Sequence, residues 1–416
     1  MNIVIIGGGP AGMLAAIAAS KSKNNKVLIL EKNEKLCKKM FITGKGRCNL
    51  TNNCEYDDFF KNIVTNSKFL YSAFSEFDNI DFKKLIEDNG CKLKVERGNR
   101  VFPASDKSYD VIDALKKAIK RNNINVFLNT EVLKVNELND SKKFELIIKN
   151  NKSIIADKVI VATGGMSYKS TGSTGDGYKF AKDFDIKVTN LTPSLVPFNV
   201  KELDDCKTMQ GLTLKNIAIR VIDSNDKIIY KDFGELLFTH FGVSGPTILS
   251  ASSFVESGVY TLSIDLKPSL NEKQLDQRLI REFENNNKIL KNVLSSLLPN
   301  SMIGVFIHRL QKLLNDDNVG EMCVSDLNKD LRKVVCNILK DFRFILTSKR
   351  GFEEAIITKG GIDVKEINPK TMESKKINGL YFAGEVIDID ALTGGFNIQI
   401  AATTGYVAGE NAVYDI

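Results

Sequence analysis

The chain has 416 residues, of which 43% are hydrophobic and 26% charged, and a formal net charge of +7. That length exceeds one ordinary domain and predicts two or three, while the composition is that of a globular chain with enough apolar material for a large core. Lys and Asn are spread along the sequence, and a cluster such as KKAIKR at 116–121 fits a solvated helix face. Charge alone therefore does not favour a nucleic-acid partner, and suits an anionic ligand or cofactor better.

Seven cysteines (Cys37, Cys48, Cys54, Cys91, Cys206, Cys323 and Cys336) are odd in number and include no C-x-x-C pair. A disulfide framework, a zinc ribbon and a thioredoxin-type pair are disfavoured, and a reducing, cytoplasmic setting is expected. Residues 2–20 carry no charge, but Gly7, Gly8, Gly9 and Pro10 interrupt them and no basic residue precedes them. A strand, a tight turn and a buried helix are expected there, not a leader or a membrane span.

Residues 1–190 alternate short apolar runs with amphipathic stretches, the texture of an α/β domain. NIVII, KVLIL, NVFLN, KFELIIK and KVIVAT read as strands; PAGMLAAIAAS and YDVIDALKKAIKR read as helices. From 191 to 268, SLVPFNV, NIAIRVID, KIIYKDFGELLFTH and GVYTLSIDL read as consecutive strands of an antiparallel sheet or small barrel. Residues 269–336 are mostly helical, as in NEKQLDQRLIREFENNNK and SMIGVFIHRLQKLL. Strand texture returns over 337–356 with FRFILT. EEAIITKGGIDV continues it into 357–416, where the α/β texture resumes. That order describes one nucleotide-binding fold split by an insertion.

Gly7, Gly9 and Gly12 stand in G-x-G-x-x-G register directly after the first strand and open a helix. The first glycine permits the tight turn, the second lets a pyrophosphate approach the backbone, and the third allows close helix–strand packing. The helix N-terminus then presents free N–H groups to the anion. Glu31 ends the strand VLILE, where a carboxylate accepts from both ribose hydroxyls of an adenosine and repels a 2′-phosphate. FAD or NAD is therefore favoured over NADP.

Three features favour FAD. VIVATGG at 159–165 is a strand ending in Ala-Thr-Gly, suited to a crossover strand that returns to the dinucleotide. NGLYFAGE places an acid, Glu385, at a strand end where it would face a ribityl chain. TGGFNIQIAATTGYVAG opens a helix after a Gly-Gly turn, and Ala401, Ala402, Gly405, Ala408 and Gly409 keep its surface small. A helix N-terminus aimed at the flavin pyrimidine edge would stabilise negative charge there. No second G-x-G-x-x-G follows another strand, so a nicotinamide donor would dock only transiently.

KLCKKMFITGKGRCNLTN (35–52), NRVFPASDKSYDVIDAL (99–115), ATGGMSYKSTGSTGDGYKFA (162–181), ELLFTHFGVSGPTIL (235–249) and TKGGIDVKEINPKTMESKKINGLYFAGEV (358–386) resemble the motifs of one bacterial flavoprotein family. It is the NAD(P)/FAD-dependent oxidoreductase family of BaiN or YhiN type, and the motifs span nearly the whole chain in order. The resemblance implies a glutathione-reductase-like FAD-binding Rossmann domain interrupted by a β-barrel-like domain and a small helical insert. Relatives in that family include a reductase of ring double bonds in 3-oxo bile acids and an FAD-dependent aminoacetone oxidase.

Carried over by position, Gly7, Gly9, Pro10, Ala11 and Gly12, with Glu31 and Lys32, would hold the ADP half of FAD. Lys38, Lys39 and the loop carrying Thr43, Gly44, Gly46, Arg47, Cys48 and Asn49 would line the pyrophosphate and flavin. The Val132 backbone would meet adenine, and Thr163 and Gly164 would pass the pyrophosphate. Gly384, Glu385, Gly395, Asn397 and Ile398 would surround the ribityl and pyrimidine parts. The sequence departs from the family pattern at Cys37 and Lys38, where Gly-Arg is common, and at Lys45 and Ala391, where glycine is common. At residue 38 a bidentate Arg contact is replaced by the point charge of Lys.

Outside this set, His240 lies between a strand and a glycine-rich turn and would either donate to a substrate carbonyl or simply fix the loop. His308 lies in a helical pattern and reads as structural. Cys48 follows Arg47, whose charge would lower a thiol pKa, although packing is the simpler role. Asp176 would position a loop or cap a helix. Asp388 and Asp390 are too few to hold a metal, so none is expected.

Flavin chemistry needs no catalytic triad. The expected function is FAD-dependent hydride transfer through flavin N5 on a small or steroid-like substrate, an enone-type reduction with NAD(P)H as donor. The alternatives are an oxygen-dependent amine oxidase, an RNA-associated flavoprotein, and a flavin sensor without turnover. The inserted domain would roof the flavin.

Overall fold

The computed structural model describes residues 1–22, 24–138, 143–149, 152–283 and 287–414. The chain divides into two compact units, 1–194 with 351–416, and 195–350. The expected helix over 271–288 is seen as Glu272–Phe283, and residues 284–286 of it lie outside the described residues.

The first unit is built on a five-stranded parallel sheet. Its order is Leu380–Phe382, Lys158–Val161, Asn2–Ile6, Lys26–Leu30, Asn125–Phe127. The central strand Asn2–Ile6 pairs with Lys26–Leu30 on one side and Lys158–Val161 on the other, and its residues 3–6 are buried. Continuous Ile/Val runs are what a strand covered on both faces requires, and each such side chain contributes about 1.5–3 kcal/mol on burial. Strands from both ends of the chain thus enter one sheet.

Helix Pro10–Ala19 leaves the first strand through the glycine turn, with Pro10 in its first turn, and all of Ala11–Ala19 is buried. A helix apolar on every side belongs in a core. Its neighbour is the closing helix Phe396–Asn411, also largely buried. A Cβ on Gly405 would collide with the Ala11 carbonyl, and one on Gly409 with the Ala15 carbonyl. The two helices therefore meet backbone to backbone.

KFELIIK does not join the parallel sheet. Lys143–Ile148 sits between Val132–Leu138 and Lys152–Ala156 in a separate antiparallel sheet. The connections at 139–142 and 149–151 are far too short for a parallel crossover, so a meander is the only arrangement open to them.

The second unit contains a closed six-stranded barrel in the order Phe198–Val200, Gly242–Ser244, Ile228–Thr239, Thr213–Ile222, Tyr260–Asp265, Phe342–Lys349. Phe198, Phe238, Phe342 and Phe344 are among its fully buried side chains. Helices Glu272–Phe283, Asn300–Leu314 and Lys329–Lys340 share one continuous apolar core with the barrel strands. SLVPFNV, read as one strand, divides: Thr192–Ser194 pairs with Ile357–Lys359 in the first unit, and Phe198–Val200 enters the barrel. Leu195 breaks it with a φ of 50°. The α/β architecture with a Rossmann-type sheet and a β-barrel, expected from the sequence, is borne out. Among the described residues no helix is long and apolar enough to cross a membrane.

Candidate functional site

The first corner has the geometry that its glycines require. Gly7 adopts φ 108°, and a Cβ there would strike the Ala162 carbonyl; a Cβ on Gly12 would strike the carbonyl of Gly7. Gly9 caps the helix, yet no side chain bonds to the helix N-terminus, and a Cβ at Gly9 would meet nothing within 4 Å. No side chain of the protein thus caps the first-turn N–H groups, the arrangement an anion uses. Glu31 is 7% exposed. Its Oε2 accepts from Gly8 N–H at 2.7 Å and its Oε1 from Asn33 N–H at 2.8 Å, so the carboxylate is held beside the turn with acceptor capacity remaining. Gly8, whose amide aims that acid, was not singled out in the sequence.

Val132 opens the strand Val132–Leu138 just after a segment tied to this acid's backbone, by Glu31 N–H to Phe127 O and Thr130 N–H to Glu31 O. Lys32 Nζ lies 2.6 Å from Asp176 and 2.5 Å from Thr174 Oγ1. Asp176 is the first residue of helix Asp176–Asp183, whose N-cap is Gly175, so its carboxylate serves this ion pair and the capping role is corrected.

The second corner lies against the first. Gly384, at φ 78°, is close enough that its Cβ would come 2.8 Å from Ala11 Cβ. Its N–H donates to Thr404 Oγ1 of the closing helix at 2.9 Å. Glu385 Oε1 accepts from Thr358 N–H at 2.9 Å, and its Oε2 accepts from Lys39 Nζ at 2.8 Å. A Cβ on Gly165 would stand 2.8 Å from Glu385 Oε1, so only glycine leaves room for this carboxylate. Thr358 and Gly165 had no strong signal in the sequence, because their importance comes from strands and turns that are distant in the chain. Next to Gly165, Gly164 has φ 73°, and the buried Thr163 hydroxyl oxygen finds no hydrogen-bond partner.

The closing helix begins at Gly395, φ 97°, again with no side-chain cap on its N-terminus. Asn397 donates to the Ala391 carbonyl at 2.7 Å and accepts from Ala391 N–H at 3.0 Å, pinning the preceding loop across the first turn that also carries Ile398. Ala391 is buried, and its side chain is accommodated where relatives often have glycine. Asn49, oriented by its surroundings, accepts from Gly395 N–H at 3.1 Å and donates to Thr51 O at 3.2 Å. Gln399, fully buried, links Thr51 and Thr403, and Thr403 donates to the Phe77 carbonyl at 2.8 Å. These buried polar links fix the helix end, and the apolar pattern of the sequence does not disclose them.

The loop 37–49 holds several expected residues in other roles. Cys37 adopts a left-handed backbone (φ 56°, ψ 32°), and its N–H donates to Gly8 O. The conformation that favours glycine thus survives without one, at some backbone cost. Lys38 Nζ pairs with Glu34 at 3.2 Å. Thr43 donates to Met40 O, while Gly44 and Gly46 take φ of 58° and 84° in a short 3₁₀ turn. Arg47 does not act as a free anion ligand: its guanidinium bonds both Glu96 and Asp106 and lies 4.2 Å over the Phe102 ring. Nor does it activate Cys48, which is fully buried; burial pushes that thiol up to about 12. The packing role of Cys48 holds.

No cluster of three or more potential metal ligands occurs among the described residues. Burial raises the Asp388 carboxyl above its usual value despite hydrogen bonds from Thr189 and Asn66. Asp390 O accepts from Val64 N–H, a loop-fixing bond. In the second unit, His240 is exposed, and with Phe241 it forms the tip of a tight hairpin between Thr239 and Gly242. The strand Gly242–Ser244 therefore replaces the glycine-rich turn expected after it. His308 is exposed on helix Asn300–Leu314.

Residues 1–411 match the family described as HI0933-like protein Rossmann domain. The chain belongs to that family. It is 30% identical, over 99% of its length and 98% of the relative's, to the ribosomal RNA dihydrouridine synthase of Escherichia coli K12. It is also 30% identical to the 3-dehydro-bile acid delta(4,6)-reductase of Clostridium scindens, over 99% and 98% of the two chains. The BaiN/YhiN-type resemblance stands with these matches. Among solved structures, a 3-ketosteroid-delta4-(5alpha)-dehydrogenase from Rhodococcus jostii RHA1 superimposes with a TM-score of 0.50 at 13% identity, over 99% of this chain and 96% of that one. At that identity the likeness is one of fold.

Proposed function

We propose that this HI0933-like protein is an FAD-dependent oxidoreductase that reduces a carbon–carbon double bond conjugated with a carbonyl, with NAD(P)H as electron donor. The observation that carries the cofactor reading is the junction of the chain ends. Two uncapped helix N-termini open at glycines 9 and 395, their helices pack backbone to backbone, and Glu31 and Glu385 mark the two corners. A single helix N-terminus suits a pyrophosphate; the pair suits an extended dinucleotide with a charged group at each end.

Bound FAD would supply hydride donation and acceptance at flavin N5. The chain's own part is binding and orientation. Glu31, already aimed by Gly8 and Asn33, would accept from the adenosine ribose hydroxyls. The N–H groups of Ala11 and Gly12 would hold the pyrophosphate, and the buried Thr163 hydroxyl, which has no hydrogen-bond partner in the protein, would be available to donate to it. At the other corner Glu385 would accept from ribityl hydroxyls, and the first turn after Gly395 would favour negative charge at the pyrimidine edge.

The names of two relatives support the reaction type. Dihydrouridine is uridine with its C5=C6 bond, conjugated with the C4 carbonyl, saturated; a delta(4,6)-reductase of 3-dehydro bile acids saturates bonds conjugated with the C3 ketone. Both reactions add hydride to an electron-poor carbon in conjugation with a carbonyl. A small or steroid-like molecule is the first reading of the substrate. The second, a uridine ring within RNA, is favoured by the 30% identity to the Escherichia coli enzyme over nearly the full chain and accords with the net charge of +7.

Anaerobic titration of the yellow protein with NADH and NADPH, followed by mixing with a 3-oxo-4-ene steroid, with ribosomal RNA lacking dihydrouridine, or with air, tests the proposal. Rapid bleaching by a nicotinamide donor and rapid recovery with one of the two enones is expected. Bleaching by amines with fast recovery in air and peroxide release would replace it with amine oxidation, and a flavin that nothing reduces would leave a sensor.

A further inference from the structure

Lys39 and Glu385 are 346 positions apart in the chain, yet Lys39 Nζ lies 2.8 Å from Glu385 Oε2. Their side chains are 20% and 21% exposed, so the pair sits at the wall of the corner rather than out in solvent. The other carboxylate oxygen is held by Thr358 N–H at 2.9 Å. Thr358 is itself fixed, since its Oγ1 accepts from Met166 N–H at 2.8 Å and lies 3.0 Å from Ser167 Oγ. Gly165 leaves the space that the carboxylate occupies. Three separate segments therefore converge on one carboxylate, and Lys39 brings a side-chain cation to it.

A carboxylate offers about four acceptor directions. Thr358 and Lys39 take one on each oxygen and thereby set the plane of the group, leaving the remaining lone pairs for a polyol hydroxyl. A charge-assisted bond from a flexible ammonium orients such a group more strongly than a neutral donor does. We propose that Lys39 is a positioning residue: it acts through Glu385, holding that carboxylate in the orientation that receives the ribityl hydroxyls of FAD, and it carries a fixed positive charge into the flavin end of the site. This inference rests on the FAD reading above and adds to it a residue whose role is coupled to a second one. Lys38, its neighbour in sequence, pairs with the more exposed Glu34 and takes no part.

The test is a double-mutant cycle on FAD affinity, read by flavin fluorescence on stripped and refilled protein, together with the midpoint potential of the bound flavin. Lys39→Gln is expected to weaken FAD binding about tenfold and to lower the potential, because a positive charge that favours the reduced, more negative ring is removed. In a Glu385→Gln background the same substitution is expected to change affinity less than about twofold. Lys39→Arg keeps the charge and is expected to restore both affinity and potential, which also serves if Lys39→Gln folds poorly. Equal losses from Lys39→Gln in both backgrounds, or an unchanged affinity and potential, would overturn the coupling. Wild-type protein that takes up no FAD would instead overturn the cofactor reading on which it stands.

Discussion

The seam between the first and closing helices and the interior of the barrel both exclude water, but with opposite residue types. The barrel fills its interior with Phe198, Phe238, Phe342 and Phe344, large rings whose burial supplies stability. The seam has almost no side chains to bury: Ala11 and Ala15 face Gly405 and Gly409, and carbonyls stand where methyl groups would go. It gives up apolar area for closeness. The gain is positional, since close approach brings the glycine corner at the N-terminal end of the chain against Gly384 and the corner at its C-terminal end. A region whose task is stability is packed with volume, and one whose task is placing two helix ends is packed with its absence.

Opposite substitutions sharpen that contrast. Phe344→Ala removes a buried ring from the barrel and is expected to cost about 4 kcal/mol in urea unfolding. Gly405→Ala adds a single methyl group to the seam and is expected to cost about 3 kcal/mol, with reduced FAD content in the purified protein. If Gly405→Ala proved neutral, the claim that the helices meet backbone to backbone would fail. Within the corner, Glu31→Ala is expected to lose about 2 kcal/mol of FAD affinity, roughly thirtyfold in Kd, and to lower stability as well, because the buried Gly8 N–H loses its acceptor. Equilibrium dialysis or fluorescence decides it.

A smaller effect is expected at high pH. Burial raises the Cys48 thiol from its usual 9 to about 12, so the unfolded chain releases that proton more readily than the folded one. Stability from this group is complete below pH 9 and falls as pH rises toward 12, and the Cys48→Ala variant should lose less over that window. The urea midpoint as a function of pH measures it. The smallest effect is at His240, exposed on its hairpin tip: His240→Asn is expected to change stability by less than about 0.5 kcal/mol. A large fall in kcat with a native flavin spectrum would give that residue a role in proton transfer.

Local pattern carried much of this. The G-x-G-x-x-G turn after Asn2–Ile6, the acid ending the second strand and the small-residue closing helix are short-range signals, because turn chemistry and helix periodicity operate over a few residues. The barrel strands were legible for the same reason. What neighbouring residues could not reveal was where each charged side chain goes. Arg47 reads as an anion ligand beside a glycine turn, yet Glu96 and Asp106 come from elsewhere in the chain to claim it. Lys32 likewise went to Asp176, and KFELIIK to an antiparallel sheet.

The sequence by itself determined that a strand, a glycine turn and a helix would form at each end of the chain, since backbone freedom and hydrophobic periodicity are written in adjacent residues. Only the tertiary structure decided that these two corners would touch, that Gly8 would aim Glu31, and that Lys39 and Thr358 would share Glu385. Long flexible charged side chains choose partners by proximity in the folded state, and that proximity arises from packing across hundreds of residues rather than from spacing along the chain.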